Sequence, residues 1–310
     1  MKHRRKPQVK MRHEYENRLG ADQLAALAAV VEFGSFDAAA ERLHVTPSAV
    51  SQRIKALEQR VGQVLIVREK PCKATAAGVP LIRLAAQTAM LESEALDALG
   101  HRAGAGRQRV AIAVNADSMS TWFTAVLGQL DDVLFDIRIE DQDHSARLLR
   151  DGTVMGAVTT ERTSVPGCRV QSLGVMRYVS VASPAYVERY LPEGFTAESV
   201  AVAPSLAWNP DDALQDMLLR KVFRRVITRP VHLVPTAEGF RAAVRASLGW
   251  GMYPEQTAGP AVAEGSFVRI ADAHLDVPLY WQCWKLDSPI IETVTNAVRS
   301  AAAGLRRHRR

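Results

Sequence analysis

Donor-rich side chains recur along one short stretch of the sequence, between Pro47 and Val61. They comprise two hydroxyls, an amide and an ammonium group, on Ser48, Ser51, Gln52 and Lys55. A spacing of three or four residues puts such side chains on one face of a helix. The residues between them, Val50, Ile54 and Leu57, form an apolar face opposite. A helix of this kind is suited to the major groove of DNA, although an ordinary helical hairpin facing water is the alternative.

Other residues of reactive types lack the spacing of catalytic or metal sites. The sequence contains no Walker loop, GxGxxG, HExxH or GxSxG motif. Asp141, Asp143 and His144 are of metal-ligating types, but they form one cluster on a loop without a suitable distant partner. We therefore expect no metal ion and no catalytic residue. An enzyme acting on an amino acid is disfavoured because no paired acid and base or cofactor motif is present.

The elements that position the donor-rich helix are predicted from apolar spacing and capping residues. Apolar periodicity predicts a first helix from Asp22 to Gly34, and Ser35 is an N-cap for a short second one. Thr46 then caps the donor-rich helix, with Pro47 at its first position, where the missing N–H costs nothing. Two helices joined by a tight turn form a helix-turn-helix.

A short cationic hairpin is predicted after this helix. Gly62 ends the helix, and the apolar residues 64–67 predict a strand. Pro71 marks a turn that is surrounded by cationic side chains, those of Arg68, Lys70 and Lys73. A hairpin of this kind beside a recognition helix is typical of a wing that grips the phosphate backbone.

Residues 36–78, FDAAAERLHVTPSAVSQRIKALEQRVGQVLIVREKPCKATAAG, closely resemble the DNA-binding domain of LysR-type transcriptional regulators. The resemblance implies that double-stranded promoter DNA is a partner. The implied contacts are Pro47, Ser48, Ser51, Gln52, Arg53, Lys55, Arg68 and Lys73. Gln52 is the best reader of bases, since its amide can pair bidentately with an adenine edge. The direction of Arg53 on the helix is mixed.

A regular seam follows the wing. Apolar or small residues alternate three and four positions apart, at Leu81, Leu84, Thr88, Leu91, Ala95 and Ala98. Such a seam is typical of a helix that pairs with a second copy, the alternative being a helix packed on its own domain. In the resembled family this linker helix dimerises, and the glycine-rich residues 100–106 predict a hinge.

From Arg107 onward, short apolar strands alternate with helices, which predicts an α/β fold with mainly parallel sheets. By the resemblance, this part is a two-lobed, periplasmic-binding-protein-like effector domain with the effector between its lobes. The predicted domains are a basic N-terminal extension (1–20), a winged helix-turn-helix (21–78), the linker helix (79–100), the hinge (101–106) and the effector-binding domain (107–310). Lobe I is expected at about 107–182 and 276–310, and lobe II at about 183–275.

Three segments look like the LysG/ArgP subfamily, which senses basic amino acids and controls an amino-acid exporter: VNADSMSTWF (114–123), SPAYVERYLPEGFTAESVAVAPSLAWNPDDALQ (183–215) and GWGMYPE (249–255). A basic amino acid needs donors for its carboxylate, an acceptor for its α-ammonium and an anion for its side chain. The predicted effector contacts are Asp117, Ser118, Trp122, Asp141, Asp143, Trp208 and Glu238.

Each of these contacts has a chemical role and a structural alternative. Ser118, which follows a strand, suits the carboxylate, and Asp117 suits the α-ammonium or is a helix cap. Asp141 and Asp143 suit the cationic side chain or are solvated loop acids. The two tryptophans line the pocket or belong to the core, and Glu238 faces the cleft or only complements a helix dipole.

Composition and charge agree with a soluble protein that has an anionic partner. Hydrophobic residues make up 47% of the 310-residue chain, and no apolar run approaches the roughly 20 residues of a membrane span. Residues 1–20 carry seven Lys or Arg against two Glu, and four Arg lie among the last five residues. The three cysteines, Cys72, Cys168 and Cys283, lack metal-ligand spacing and are expected to be buried or incidental thiols.

The sequence therefore predicts a transcription regulator without a cofactor, cytoplasmic and associated with the nucleoid, with no membrane partner. It would sense lysine or arginine, with histidine as a third candidate, and control an exporter gene. The expected partners are promoter DNA, a second copy through the linker helix, a tetramer through the sensing domains, and RNA polymerase. The alternatives are another small-molecule effector or a ligand-independent protein that binds the chromosome or its origin.

Overall fold

The computed structural model describes residues 18–100, 107–140 and 142–307, and for residues 142–144 it describes the backbone alone. Most of the predicted basic extension, the hinge, Asp141, the side chain of Asp143 and the end of the terminal arginine run lie outside the described residues. The chain divides near residue 106 into two compact units.

Three helices form the core of the N-terminal unit: α1 (Ala21–Phe33), α2 (Phe36–Leu43) and α3 (Pro47–Val61). The predicted caps are present. The Ser35 hydroxyl accepts from the N–H of Ala38 at 3.1 Å, and the Thr46 hydroxyl accepts from Ala49 at 3.2 Å. The apolar sides of the helices meet in one cluster, which includes Leu27, Val30, Ala39, Val50, Ile54 and Leu57, all fully buried.

A two-stranded antiparallel sheet follows, made of β1 (Ile66–Val67) and β2 (Lys73–Ala74). It is shorter than the predicted strand, because Leu65 turns inward and its N–H donates to the Glu58 carboxylate at 2.9 Å. Gly78 packs so closely that a Cβ would clash with the carbonyl oxygen of Leu65. The helix-turn-helix and its wing are thus one packed unit, from which α4 (Gly78–Ala98) continues.

The second unit is a mixed α/β structure, with eight strands in the part of it that the structure describes. They are β3 (Gln108–Val114), β4 (Val133–Ile139), β5 (Gly156–Thr159), β6 (Cys168–Ala182), β7 (Ser205–Ala207), β8 (Val231–Leu233), β9 (Gly251–Pro254) and β10 (Val268–Trp284). Six of them form one sheet in the order β4-β3-β5-β10-β6-β9. The pairs β3–β4 and β3–β5 are parallel, whereas β10 pairs antiparallel with β5 and β6, and β6 with β9.

The two longest strands, β6 and β10, connect the two lobes of this unit. They pair from Cys168 with Trp284 at one end to Ala182 with Val268 at the other. The first end continues into β5 and the second into β9. The prediction of mainly parallel sheets is therefore wrong for this region, where β10 is one continuous strand of 17 residues. Polar residues in the middle of β10, such as Asp272 and Asp276, are exposed and interrupt the apolar pattern.

The part of the unit beyond β9 has its own small parallel sheet. An isolated bridge joins Ser205 of β7 to Trp250, and β7 pairs parallel with β8. The helices of the second unit are α5 (Ala116–Ser118), a π-helical turn (Met119–Phe123), α6 (Thr124–Leu127), α7 (Gln142–Asp151), α8 (Pro184–Tyr190), α9 (Ala197–Val202), α10 (Leu214–Phe223), α11 (Ala237–Arg245), α12 (Glu255–Ala263) and α13 (Pro289–Ala301), which a 3₁₀ turn (Ala302–Gly304) follows. Within the described ranges, no helix combines the length and apolar character needed to cross a membrane.

Candidate functional site

The outer face of α3 presents the predicted DNA contacts. Pro47, Ser48, Gln52 and Lys55 are exposed and Ser51 is half-buried, because Val50, Ile54 and Leu57 fix the opposite side of the helix in the core. The Ser48 hydroxyl lies 2.9 Å from that of Thr46. The face therefore combines a rigid backbone with solvated donors.

Arg53 points toward the first helix rather than along this face. Its guanidinium lies 3.2 Å from the carboxylate of Asp22, and 30% of its side chain is exposed. The mixed direction that the sequence indicated thus resolves into an ion pair across the helix-turn-helix.

The wing carries exposed cations beside α3. The guanidinium of Arg68 lies 5.1 Å from the ring centroid of Phe36, and the Lys73 ammonium is 3.9 Å from the Glu69 carboxylate. The stacking on Phe36 holds Arg68 against the helical core, so that the wing presents a defined charge.

The linker helix α4 keeps part of its predicted seam exposed. Leu84 and Leu91 are 38% and 40% exposed, and Ala95 and Ala98 are exposed too. Buried residues such as Ala85 and Met90 lie between them in sequence. An apolar stripe with this spacing suits a second helix.

A cavity of about 720 Å³ opens in the second unit, a volume suited to a small molecule. Its wall is built from the segment after β3, the middle of β6 and β10, the segment from β7 to α10, the start of α11, and β9. The wall includes five carboxylates and one guanidinium, on Asp117, Asp211, Asp212, Glu238, Asp276 and Arg241.

Asp117 is the most strongly perturbed carboxyl of this wall. Burial raises its pKa to about 6, the hydrogen bond from Tyr178 opposes that rise, and the negative charge of Asp212 adds to it. The Tyr178 hydroxyl donates to Asp117 Oδ2 at 2.7 Å. Burial, and then the charge of Asp117, raises the pKa of Tyr178 well above its ordinary value. Tyr178 therefore stays a neutral donor that orients the carboxylate.

Asp212 is held on the wall by backbone donors. Its oxygens accept from the N–H of Trp208 at 2.9 Å and from the N–H of Leu214 at 3.1 Å. The Gln215 amide lies 3.4 Å away and also donates to the carbonyl of Leu206 at 2.6 Å. These contacts fix the carboxylate at the start of α10, close enough to Asp117 for their charges to interact.

Asp276 lies on the cavity wall but already has a cationic partner. Arg177 donates to both of its oxygens, at 2.7 and 2.8 Å, and this hydrogen bonding lowers the pKa of the Asp276 carboxyl. Glu238 and Arg241 lie one turn apart on α11, and both are exposed. Asp276 is thus neutralised by the protein, whereas Asp117 faces another acid.

The predicted effector contacts divide into three groups. Asp117, Trp208 and Glu238 lie on the cavity wall. Ser118 is fully buried and Trp122 is 6% exposed in the core beside Phe123, and neither lines the cavity. For Ser118 the cause is the helix cap, in which its N–H donates to Asn115. Asp141 and the side chain of Asp143 lie outside the described residues.

Sequence reasoning missed three residues that shape the wall: Asn115, Tyr178 and Asp212. Asn115 has a signal, since it follows a strand and precedes Asp117 at a helix start. Asp212 lies in the WNPDD segment, four residues after Trp208. Tyr178 has none, because an aromatic residue within a buried strand is ordinary core. Among the residues that the structure describes, no group of three or more His, Cys, Asp or Glu is placed to hold a metal ion.

The comparisons with known proteins cover both units. Residues 21–79 match the family model of bacterial regulatory helix-turn-helix proteins of the lysR family, and residues 101–303 match the LysR substrate binding domain. The chain is 72% identical over 289 residues to the HTH-type transcriptional regulator LysG of Mycobacterium tuberculosis, which covers 93% of this chain and 95% of the relative.

Two further relatives carry more specific descriptions. The lysine export transcriptional regulatory protein LysG of Corynebacterium efficiens is 44% identical, over 91% of this chain and 98% of the relative. The solved full-length LysG of Corynebacterium glutamicum with bound effector arginine has a TM-score of 0.78 and 39% identity, over 93% of this chain and all of that one. The chain therefore belongs to the LysR family of DNA-binding transcriptional regulators.

Proposed function

We propose that this regulator senses a basic amino acid, arginine or lysine, with histidine as the third candidate, and controls transcription of an amino-acid exporter gene. The proposal is supported by relatives described as a lysine export regulator and as an arginine-bound LysG. No cofactor beyond the amino-acid effector is required.

The observation that carries the proposal is the charge of the cavity wall. Five carboxylates and one guanidinium surround a space of about 720 Å³. Arg177 neutralises one of the carboxylates, and the others leave a negative field inside a partly desolvated space. Such a field favours a cationic ligand over a neutral or anionic one.

The ligand contacts are assigned by chemistry. Asp117 accepts from the α-ammonium, because Tyr178 orients it within the wall. Asp212 and Glu238 face the cationic side chain, and Trp208 covers the aliphatic stem. Asp141 and Asp143 remain predicted contacts of the cationic side chain of the ligand. We assign no ligand contact to Ser118 or Trp122.

The DNA contacts are proposed for α3 and the wing. Ser48, Ser51, Gln52 and Lys55 enter the major groove, where Gln52 reads a base edge. Pro47 borders this face, and Arg68 and Lys73 hold the phosphate backbone. Arg53 acts mainly through its ion pair with Asp22, which limits its part in DNA binding.

Assembly and partners complete the proposal. The exposed stripe of α4 supports a dimer, which matches a two-fold DNA site, and we propose that the sensing domains join two such dimers into a tetramer. In the nucleoid, the protein would bind promoter DNA with and without effector and contact RNA polymerase. Effector binding changes the spacing of the DNA-binding heads only if the effector has different affinities for the two arrangements.

A thermal-shift series with the twenty amino acids tests the sensing function. At 100 times its dissociation constant a specific ligand adds about 2.7 kcal/mol to the free energy of unfolding. We expect arginine, lysine or histidine alone to stabilise the wild type. Asp117→Asn and Asp212→Asn should lose the response, and Asp287→Asn, an exposed acid outside the cavity wall, should keep it.

Other outcomes separate the alternatives. Stabilisation by a neutral amino acid would mean another effector for the same fold. DNA binding without a response to any of the twenty would leave the family membership intact and favour a ligand-independent protein that binds the chromosome or its origin.

A further inference from the structure

One side-chain amide on the cavity wall has a nitrogen without a hydrogen-bond partner among the residues that the structure describes. Asn115 follows β3 directly and lines the cavity, yet it is only 6% exposed. Its Oδ1 accepts from the N–H of Ser118 at 2.7 Å and so caps α5. Its Nδ2 is buried and has no hydrogen-bond partner among the described residues. Buried polar groups are nearly always paired, so this one requires an explanation.

The orientation of the amide follows from the cap. A backbone N–H can only donate, so the atom it meets must be the carbonyl oxygen of the side chain. The amide therefore cannot be turned over without placing two donors against each other. Its NH₂ group, with two hydrogens, is left to find an acceptor outside the cap.

The adjacent residues indicate which kind of acceptor suits this NH₂ group. Asp117, two positions along the same turn, presents a carboxylate that is oriented by Tyr178. A donor at residue 115 and an acceptor at residue 117 form a pair with opposite polarity. The head of an α-amino acid has the complementary polarity, a carboxylate beside an ammonium group.

We infer that the Asn115 amide donates to the carboxylate of the effector and makes the cavity select α-amino acids over decarboxylated amines of the same length. The inference rests on the proposed function, because it concerns the same cavity and ligand class. Arg241 is the competing donor, since it is the one cationic side chain on the described wall. Its Nε contacts the Tyr253 hydroxyl at 3.5 Å.

The test compares L-arginine with agmatine, which lacks only the carboxylate, and with argininamide, in which the carboxylate is a neutral amide. Dissociation constants are measured by titration calorimetry at pH 8 for the full-length wild type and for Asn115→Asp, Asn115→Ser and Arg241→Gln. Asp and Ser both keep a side-chain oxygen that can cap a helix, so the fold is preserved. Circular dichroism and the melting temperature without ligand check this.

For the wild type we expect at least 100-fold tighter binding of arginine than of agmatine, with argininamide between them. Asn115→Ser should reduce the ratio of the agmatine dissociation constant to the arginine dissociation constant at least 10-fold. Asn115→Asp should make agmatine bind more tightly than arginine, because a second carboxylate in the turn, beside that of Asp117, repels the ligand carboxylate and attracts an amine. Arg241→Gln should leave the ratio within about 3-fold of the wild type.

Three results overturn the inference. Equal binding of arginine and agmatine by the wild type would show that the carboxylate is not recognised, while the sensing function stands. If the preference for arginine over agmatine were unchanged in both Asn115 variants and absent in Arg241→Gln, the ligand carboxylate would be assigned to Arg241. Failure of the wild type to bind any basic amino acid would remove the inference together with the proposed function.

Discussion

The outer face of α3 and the cavity of the second unit present opposite charges in different physical settings. On the face, Gln52 and Lys55 extend into solvent from a rigid helix. In the cavity, the carboxylates of Asp117 and Asp212 are fixed by hydrogen bonds from the protein before a ligand arrives. Solvated charges act over distance and are screened by salt, whereas fixed, desolvated charges act at contact and are screened less.

Salt should therefore affect the two sites very differently, which is the largest effect we expect. For a dimer with six to ten phosphate contacts, DNA affinity should fall about 10³- to 10⁵-fold between 50 and 200 mM salt. Arginine affinity should change by less than about 10-fold. Fluorescence anisotropy with promoter DNA and calorimetry with arginine, in the same buffers, measure both.

Lys73→Ala provides the control for the salt experiment. Loss of one phosphate contact in each protomer should reduce the salt slope of DNA binding by about one per protomer and leave the arginine titration unchanged. Equal salt slopes for DNA and arginine in the wild type would contradict the distinction between the two sites.

The recognition face itself is tested by Gln52→Ala. Loss of a bidentate contact costs about 1–3 kcal/mol per half-site, so the affinity of a dimer for a promoter with two half-sites should fall at least about 30-fold while affinity for random DNA stays nearly constant. Arg53→Ala, one residue along, is the matched control. Because its guanidinium is paired with Asp22, Arg53→Ala should leave promoter affinity nearly unchanged. Loss of the exposed ion pair should lower the free energy of unfolding by only about 0–1 kcal/mol.

A competition assay with promoter and scrambled duplexes separates these outcomes. If Arg53→Ala weakened promoter binding as much as Gln52→Ala, Arg53 would leave Asp22 to contact DNA. If Gln52→Ala weakened both duplexes equally, Gln52 would contact phosphate rather than a base.

The two regions also differ in how far the sequence predicts them. The recognition face lies within one helix, so periodicity and the caps at Ser35 and Thr46 are enough to place Gln52 and Lys55 outward. The direction of the Arg53 side chain was ambiguous because its partner, Asp22, lies on another helix and 31 positions away in sequence. Local spacing carries no information about such a partner.

The cavity brings together residues that are distant in sequence, and here prediction was less complete. Asp117 was predicted as an effector contact and lies on the cavity wall, but the hydroxyl that orients it comes from Tyr178, 61 residues away. Tyr178 lies in β6, and the length of this strand, 15 residues, depends on its pairing with β10 and therefore on tertiary structure. Ser118 was expected on the wall, but its N–H donates to Asn115 in the helix cap and its side chain is fully buried in the core.

The smallest effect we expect concerns pH and sharpens the difference between two acids of the cavity. The pKa of Asp117 is raised to about 6, so this carboxyl becomes neutral as the pH falls from 7.5 to 5. A neutral acid no longer attracts the α-ammonium, and arginine affinity should fall about 10-fold over that range, one tenfold step for each pH unit below the pKa. Calorimetry at several pH values, with DNA absent, measures this.

The raised pKa of Asp117 has the opposite effect on the stability of the ligand-free protein, which should increase as the pH falls. Folding raises the Asp117 pKa from its ordinary 3.8, so the ionised carboxyl destabilises the fold above about pH 6, and this penalty is lost as the pH falls toward 3.8. Asp117→Asn should therefore raise the free energy of unfolding of the ligand-free protein at pH 7.5 by about 1–3 kcal/mol and remove this part of its pH dependence. Asp276→Asn is the contrasting variant, because Arg177 lowers the pKa of that carboxyl and keeps it charged through the same range. Its pH profile for arginine should match that of the wild type, and a flattened profile there would move the titrating group from Asp117 to Asp276.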